Sequence, residues 1–240
     1  MKKMLLAITA MAFTATSFAQ RASSSSSSFF STEKSDENIT FGVRVGMNAA
    51  NMTSDGIGSD FTDNQKARIG FNLGVNVDIP ITQSMYMQTG LYYTQKGTKW
   101  KASETIYGNK YKYTGTWNPG FLQIPILASY RYNFSDNAQL QVSTGPYFAV
   151  GVSGKSKEKE TYNGNTDTDK WPLFGEDEDG DHMLKRFDAG WQIGLGVTIK
   201  KFFIGYTFEA GFSNLAHSDW WDDDESIKSR NHMINVGVNF

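Results

Sequence analysis

Apolar and polar residues alternate with a period of two in eight segments between Phe41 and Phe240, the signature of strands with one oily and one polar face. The clearest lies at residues 67–79, where Ile69, Phe71, Leu73, Val75, Val77 and Ile79 oppose Gly70, Asn72, Gly74, Asn76 and Asp78. Six apolar positions on one face take about 11 residues, the length of a strand crossing a membrane at a tilt. The segments at 186–199 and 201–213 repeat the pattern, with Phe187, Trp191, Ile193, Leu195, Val197 and Ile199 on one face of the first and Phe202, Ile204, Tyr206 and Phe208 on one face of the second. Residues 41–48 alternate in the same way, with Phe41, Val43, Val45 and Met47 on one face, further apolar sets occur at 119–133 and 139–152, and the segment at 85–97 is less regular. In the last segment, 231–240, Ile234, Val236, Val238 and Phe240 oppose Asn231, Asn235, Gly237 and Asn239.

The connections decide which face meets solvent. Residues 80–84, 134–138 and the Lys200–Lys201 junction read as tight turns, whereas 49–66, 98–118, 153–185 and 214–230 are long and polar. Short and long connections therefore fall at opposite ends, as in an outer-membrane barrel with short periplasmic turns. The fold expected is all-β, an eight-stranded antiparallel up-and-down transmembrane β-barrel over residues 40–240, with both termini periplasmic. The rival is a secreted barrel of the lipocalin kind with its apolar face inward. Eight strands enclose a space just wide enough for side chains, so eight apolar faces would crowd it while Gly, Asn, Gln and Thr would fit.

The N-terminus supports export. Lys2 and Lys3, an apolar stretch to about Phe13 and small residues ending at Ala19 form the three parts of a signal peptide over residues 1–19. Residues 20–39, with their serine run, read as a flexible linker. Cysteine is absent, which removes disulfides, thiolate metal sites and cysteine nucleophiles. A net charge of −2 gives no general pull toward nucleic acid, and no basic groove is evident.

The opening strand "FGVRVGMNAANM", the phrases "GFNLGVNVDI" and "FLQIPILASYRY" and the ending "INVGVNF" resemble the PorT-like family of small outer-membrane β-barrel proteins, over roughly residues 40–240. The resemblance implies the fold and a place in the outer membrane of a Gram-negative cell. It supplies no catalytic residues. The terminal aromatic Phe240 is similar to the insertion signal read by the barrel-assembly machinery.

Candidate chemistry is sparse. Arg44, Asp78, Lys96, Arg131, Asp188 and Glu209 fall on or near the polar phase, and charges enclosed by a narrow barrel need partners, so a structural network filling the lumen is expected rather than a conducting pore. Strand direction groups Arg44, Asp78 and Arg131 toward the short-turn end and Lys96, Asp188 and Glu209 toward the other. Asp177, Asp179 and Asp181 in "EDEDGD" are weak calcium candidates, because Gly175 and Arg186 fail the ends of an EF-hand loop. Trp220 and Trp221 read as residues of the membrane interface or a sticky contact. Ser213, His217, Ser218, Asp219 and His232 are the nearest approach to a catalytic set, but proximity in sequence is poor evidence for one. The expectation is a non-enzymatic barrel without cofactors, set in outer-membrane lipid, whose loops contact a protein, surface glycan or lipid. The alternative is a subunit of a secretion or envelope-assembly complex.

Overall fold

Each of the eight alternating segments is a strand of one closed barrel in the computed structural model. The structure describes residue 35 and residues 38–55, 65–106, 109–163, 165–175, 182–222 and 224–240. The expected signal peptide, most of the serine-rich segment and Asp177, Asp179 and Asp181 lie outside these residues. The barrel strands are β1 (Thr40–Asp55), β2 (Gln65–Pro80), β3 (Met85–Gln95), β6 (Gly120–Ser135), β7 (Ala138–Ser153), β10 (Phe187–Ile199), β11 (Phe202–Gly211) and β12 (Ser226–Asn239). All neighbours are antiparallel. Closure comes from β1, which pairs with β12 through Val43 opposite Val238 and with β2 through Val43 opposite Val75. Every barrel strand thus has two partners, and the edge problem of an open sheet is removed.

Burial follows the period of two. Val43, Leu73, Ile124, Phe148, Ile193 and Ile234 are exposed, while Asn72, Asn76, Asp78, Gln123 and Asn231 are buried. The soluble alternative with apolar residues inside is therefore excluded by the orientation of the strands. An apolar wall of this extent is far larger than water tolerates and suits lipid. Exposed aromatics ring the short-turn end at Phe41, Tyr132, Phe134, Phe202 and Phe240, the position where aromatic girdles meet a membrane interface. Phe240 also donates its N–H to the Phe41 carbonyl at 2.8 Å, tying the end of the chain to β1.

Small residues inside make room for large ones. The ring of Phe203 lies across Gly196 and Gly205, where any Cβ would collide with it. At the junction after β3, Gly97 has φ of 129°, a conformation that side chains disfavour.

The long connections depart from the expected polar loops. Those leaving β3 and β7 form four further strands, β4 (Thr98–Ile106), β5 (Asn109–Trp117), β8 (Lys155–Tyr162) and β9 (Asn165–Pro172). Their order is β4–β5–β8–β9, and β4 also pairs with the end of β2, Lys66 opposite Lys99. The two hairpins are thus one sheet anchored to the barrel wall. Hydropathy did not announce them because their alternation sets basic against acidic and aromatic residues rather than apolar against polar.

Candidate functional site

The lumen holds all six charged residues singled out from the sequence, each at most 8% exposed. They divide into two groups. Near the short turns, the Arg131 guanidinium donates to Asp78, whose Oδ1 accepts Gln88 Nε2 at 2.9 Å. Arg131 also stacks 4.0 Å from the Tyr86 ring centroid. Arg44 has no carboxylate within ion-pair distance among the described residues. Its Nη2 donates to Asn239 Oδ1 at 2.6 Å, its Nη1 to the Val43 carbonyl at 3.2 Å, and the group lies 4.2 Å from the Phe203 centroid.

Toward the long connections, Lys96 Nζ lies 2.9 Å from Asp188 and 3.5 Å from Glu209, and 4.2 Å from the Tyr147 ring centroid. Asp188 accepts further hydrogen bonds from Ser213 and Ser229, both at 2.9 Å, and from the Tyr147 hydroxyl at 3.2 Å. Glu209 accepts from Gln123 and, at 3.4 Å, from Asn231. Among the described residues, three buried cations and three buried carboxylates therefore balance. Between the groups lies a cavity of about 60 Å³ lined by Asn72, Gln88, Gln123, Gln141, Gln192 and Glu209, space for a few water molecules and no larger ligand.

Above the Lys96 group the mouth is closed by apolar side chains. Met52, Trp100, Trp117, Phe121, Leu173, Phe174, Leu184, Leu215 and Ile227 are buried in one cluster. Trp117 meets Trp100 edge-on at 5.3 Å and Trp221 at 5.9 Å, and Trp221 Nε1 donates to the Met183 carbonyl at 3.0 Å. Trp221 therefore belongs to this cap and not to a membrane interface, whereas Trp220 is exposed.

The sheet above the cap has two chemically distinct faces, because directly opposed residues of antiparallel strands point the same way. One row runs Lys66, Lys99, Thr116, Lys157, Lys170 across five strands. The next holds Lys101, Thr114, Lys159 and Thr168, and the third Ser103, Lys112, Thr161 and Thr166. With Lys155, this face carries eight lysines and no acidic residue among the described side chains. None of these lysines has an ion-pair partner among the described residues. The opposite face carries Trp100 and Trp117, which enter the cap, and Tyr113, Glu158, Glu160, Asp167 and Asp169. Tyr113 donates to Glu158, and burial followed by this carboxylate pushes the phenol above its ordinary pKa.

The residues considered for catalysis do not assemble. Ser213 is held by Asp188 and by the Ala189 N–H at 2.9 Å, Ser218 is exposed, and His232 shares a 2.7 Å hydrogen bond with the Tyr206 hydroxyl on the outer wall. His217 and Asp219 instead meet His182, a neighbour 35 positions away that the sequence offered no signal to group with them. The His182 N–H, donated to Asp219, holds that carboxyl below the usual carboxylate range.

An apolar wall around a sealed polar lumen defines an integral membrane barrel of the outer-membrane class. The chain belongs to the outer membrane protein beta-barrel domain family, whose model matches residues 18–217. No curated protein matches it. Among solved structures, the attachment invasion locus protein Ail of Yersinia pestis is 16% identical over 84% of this chain and 98% of its own, with a TM-score of 0.36. The same protein in complex with the heparin analogue sucrose octasulfate is 16% identical over 85% and 100%, at 0.38. Neisserial surface protein A is 10% identical over 85% and 100%, at 0.37.

Proposed function

We propose that this outer-membrane barrel is a non-enzymatic anchor that presents the β4–β5–β8–β9 sheet outside the cell, where its lysine face binds an anionic surface glycan. The observation that carries the reading is the segregation of charge. Eight lysines share a face that spans five strands, about 19 Å at ordinary strand spacing. Lys66 stands directly opposite Lys99 and Lys157 opposite Lys170, pairings that weaken a sheet. A saccharide bearing phosphate or carboxylate groups relieves that repulsion and gains contacts on Lys and Thr side chains. The termini then lie in the periplasm, with the short turns. The strand motifs shared with the PorT-like family support that narrower kinship.

The test is calorimetric titration of the refolded full chain with a phosphorylated polysaccharide and with a neutral one of equal length. Binding of the anionic polymer that falls steeply with salt, and more than tenfold on changing Lys99, Lys157, Lys159 and Lys170 to Gln, is expected. Equal binding of both polymers, or no effect of the four substitutions, removes the reading.

A further inference from the structure

We propose that His182, His217 and Asp219 form a binding site for a divalent transition-metal ion of the zinc type, a clamp between two connections at the capped end of the barrel. The three ligand atoms lie within 4.8 Å of one another. Asp219 Oδ2 is 3.4 Å from His182 Nδ1 and 3.2 Å from His217 Nδ1. Two ligands on a tetrahedral ion at zinc bond lengths stand about 3.4 Å apart. The carboxylate oxygen therefore already stands at coordination spacing from both imidazoles.

The hydrogen bonds point the same way. The Asp219 N–H lies 3.4 Å from His217 Nδ1, so a neutral His217 with its lone pair on that nitrogen accepts from it. In that tautomer a bound ion would join the nitrogen lone pair to the Asp219 oxygen 3.2 Å away. The two rings stack with centroids 5.2 Å apart and planes at 29°, and the Nδ1 atom of each lies near the same Asp219 oxygen.

The backbone holds the donors in place. Leu184 bridges to Ala216, the Lys185 N–H donates to the Leu215 carbonyl at 2.8 Å, and Leu184, Leu215 and Ala216 are buried in the cap. The His217 carbonyl accepts the N–H groups of Trp220 and Trp221, and Trp221 Nε1 returns to the Met183 carbonyl. Both ligand-bearing segments are thus fixed to the same apolar cluster before any ion arrives, which reduces the ordering that binding requires. The three side chains are 37%, 31% and 31% exposed, leaving the ion accessible and a coordination position open to water. Two imidazoles with one carboxylate select zinc, nickel or copper over calcium and magnesium, which prefer oxygen ligands alone.

Isothermal titration of the untagged, refolded full chain with zinc chloride at neutral pH is the test, with gel mobility before heating as the check that each variant remains folded. One ion per chain is expected, with affinity falling more than tenfold in His182→Gln, His217→Ala and Asp219→Asn and unchanged in His232→Ala and in millimolar calcium. Cobalt should give the visible absorption of a nitrogen-ligated ion in the parent chain and lose it in His217→Ala. Absence of zinc binding by the parent chain overturns the proposal. So does affinity that survives loss of His182 or His217 in variants that remain folded.

Discussion

Replacing Lys96 by Met tests how the lumen is held together. The ammonium is fully buried, 2.9 Å from Asp188 and 3.5 Å from Glu209. At an effective dielectric of about 20 these separations correspond to gross attractions of about 6 and about 5 kcal/mol. Desolvation of all three groups offsets much of this, so the pair energies do not translate directly into stability. Removing the cation alone leaves two buried carboxylates facing each other, a change that typically costs about 3–5 kcal/mol. Asp188 keeps Ser213, Ser229 and Tyr147 as donors, and Glu209 keeps Gln123 and Asn231, which places the expected loss near the lower end, about 3 kcal/mol. Urea unfolding of the barrel in detergent, followed by tryptophan fluorescence, reads this directly. The triple variant Lys96→Met, Asp188→Asn, Glu209→Gln should recover most of the loss, because the residual amides and hydroxyls need no countercharge. A loss below about 1 kcal/mol in Lys96→Met refutes the view that a charge-balanced cluster holds this end of the lumen.

Planar-bilayer recordings should show no stable large conductance, since a cavity of about 60 Å³ and an apolar cap interrupt the lumen; well-resolved open channels contradict the filled interior. Trp117→Ala should loosen the external sheet by about 3–5 kcal/mol and expose residues 98–117 and 155–172 to protease while the barrel stays folded; unchanged protection shows that the sheet does not depend on the cap. Phe240→Ala should slow insertion in cells and leave refolding in detergent unaltered; normal insertion removes Phe240 as an assembly signal.

The barrel was legible because lipid imposes one demand on every strand. Ile69 to Ile79 and Phe187 to Ile199 must each keep an unbroken apolar face, and a period of two records that demand locally. The same parity placed Asp78, Asp188 and Glu209 inside. It did not reveal who meets whom: Lys96 and Asp188 are 92 positions apart, and their contact depends on strand order and register together. The external sheet was hidden for a different reason. In β8, Lys157 and Lys159 alternate with Glu158 and Glu160, so both faces score as polar although one is basic and the other acidic. The place of Trp221 in the cap was not legible, because its sequence neighbours are acidic while Trp117 and the Met183 carbonyl reach it from other connections.

On the proposed function, a sealed barrel displays the lysine face on the cell surface. The chain has no cysteine, so single cysteines report position without background. Labelling of intact cells with a membrane-impermeant maleimide should modify Lys159→Cys, on the exposed lysine face, and spare Asp136→Cys, in the turn between β6 and β7, until the outer membrane is breached. Labelling of Asp136→Cys in intact cells, with Lys159→Cys protected, contradicts the account.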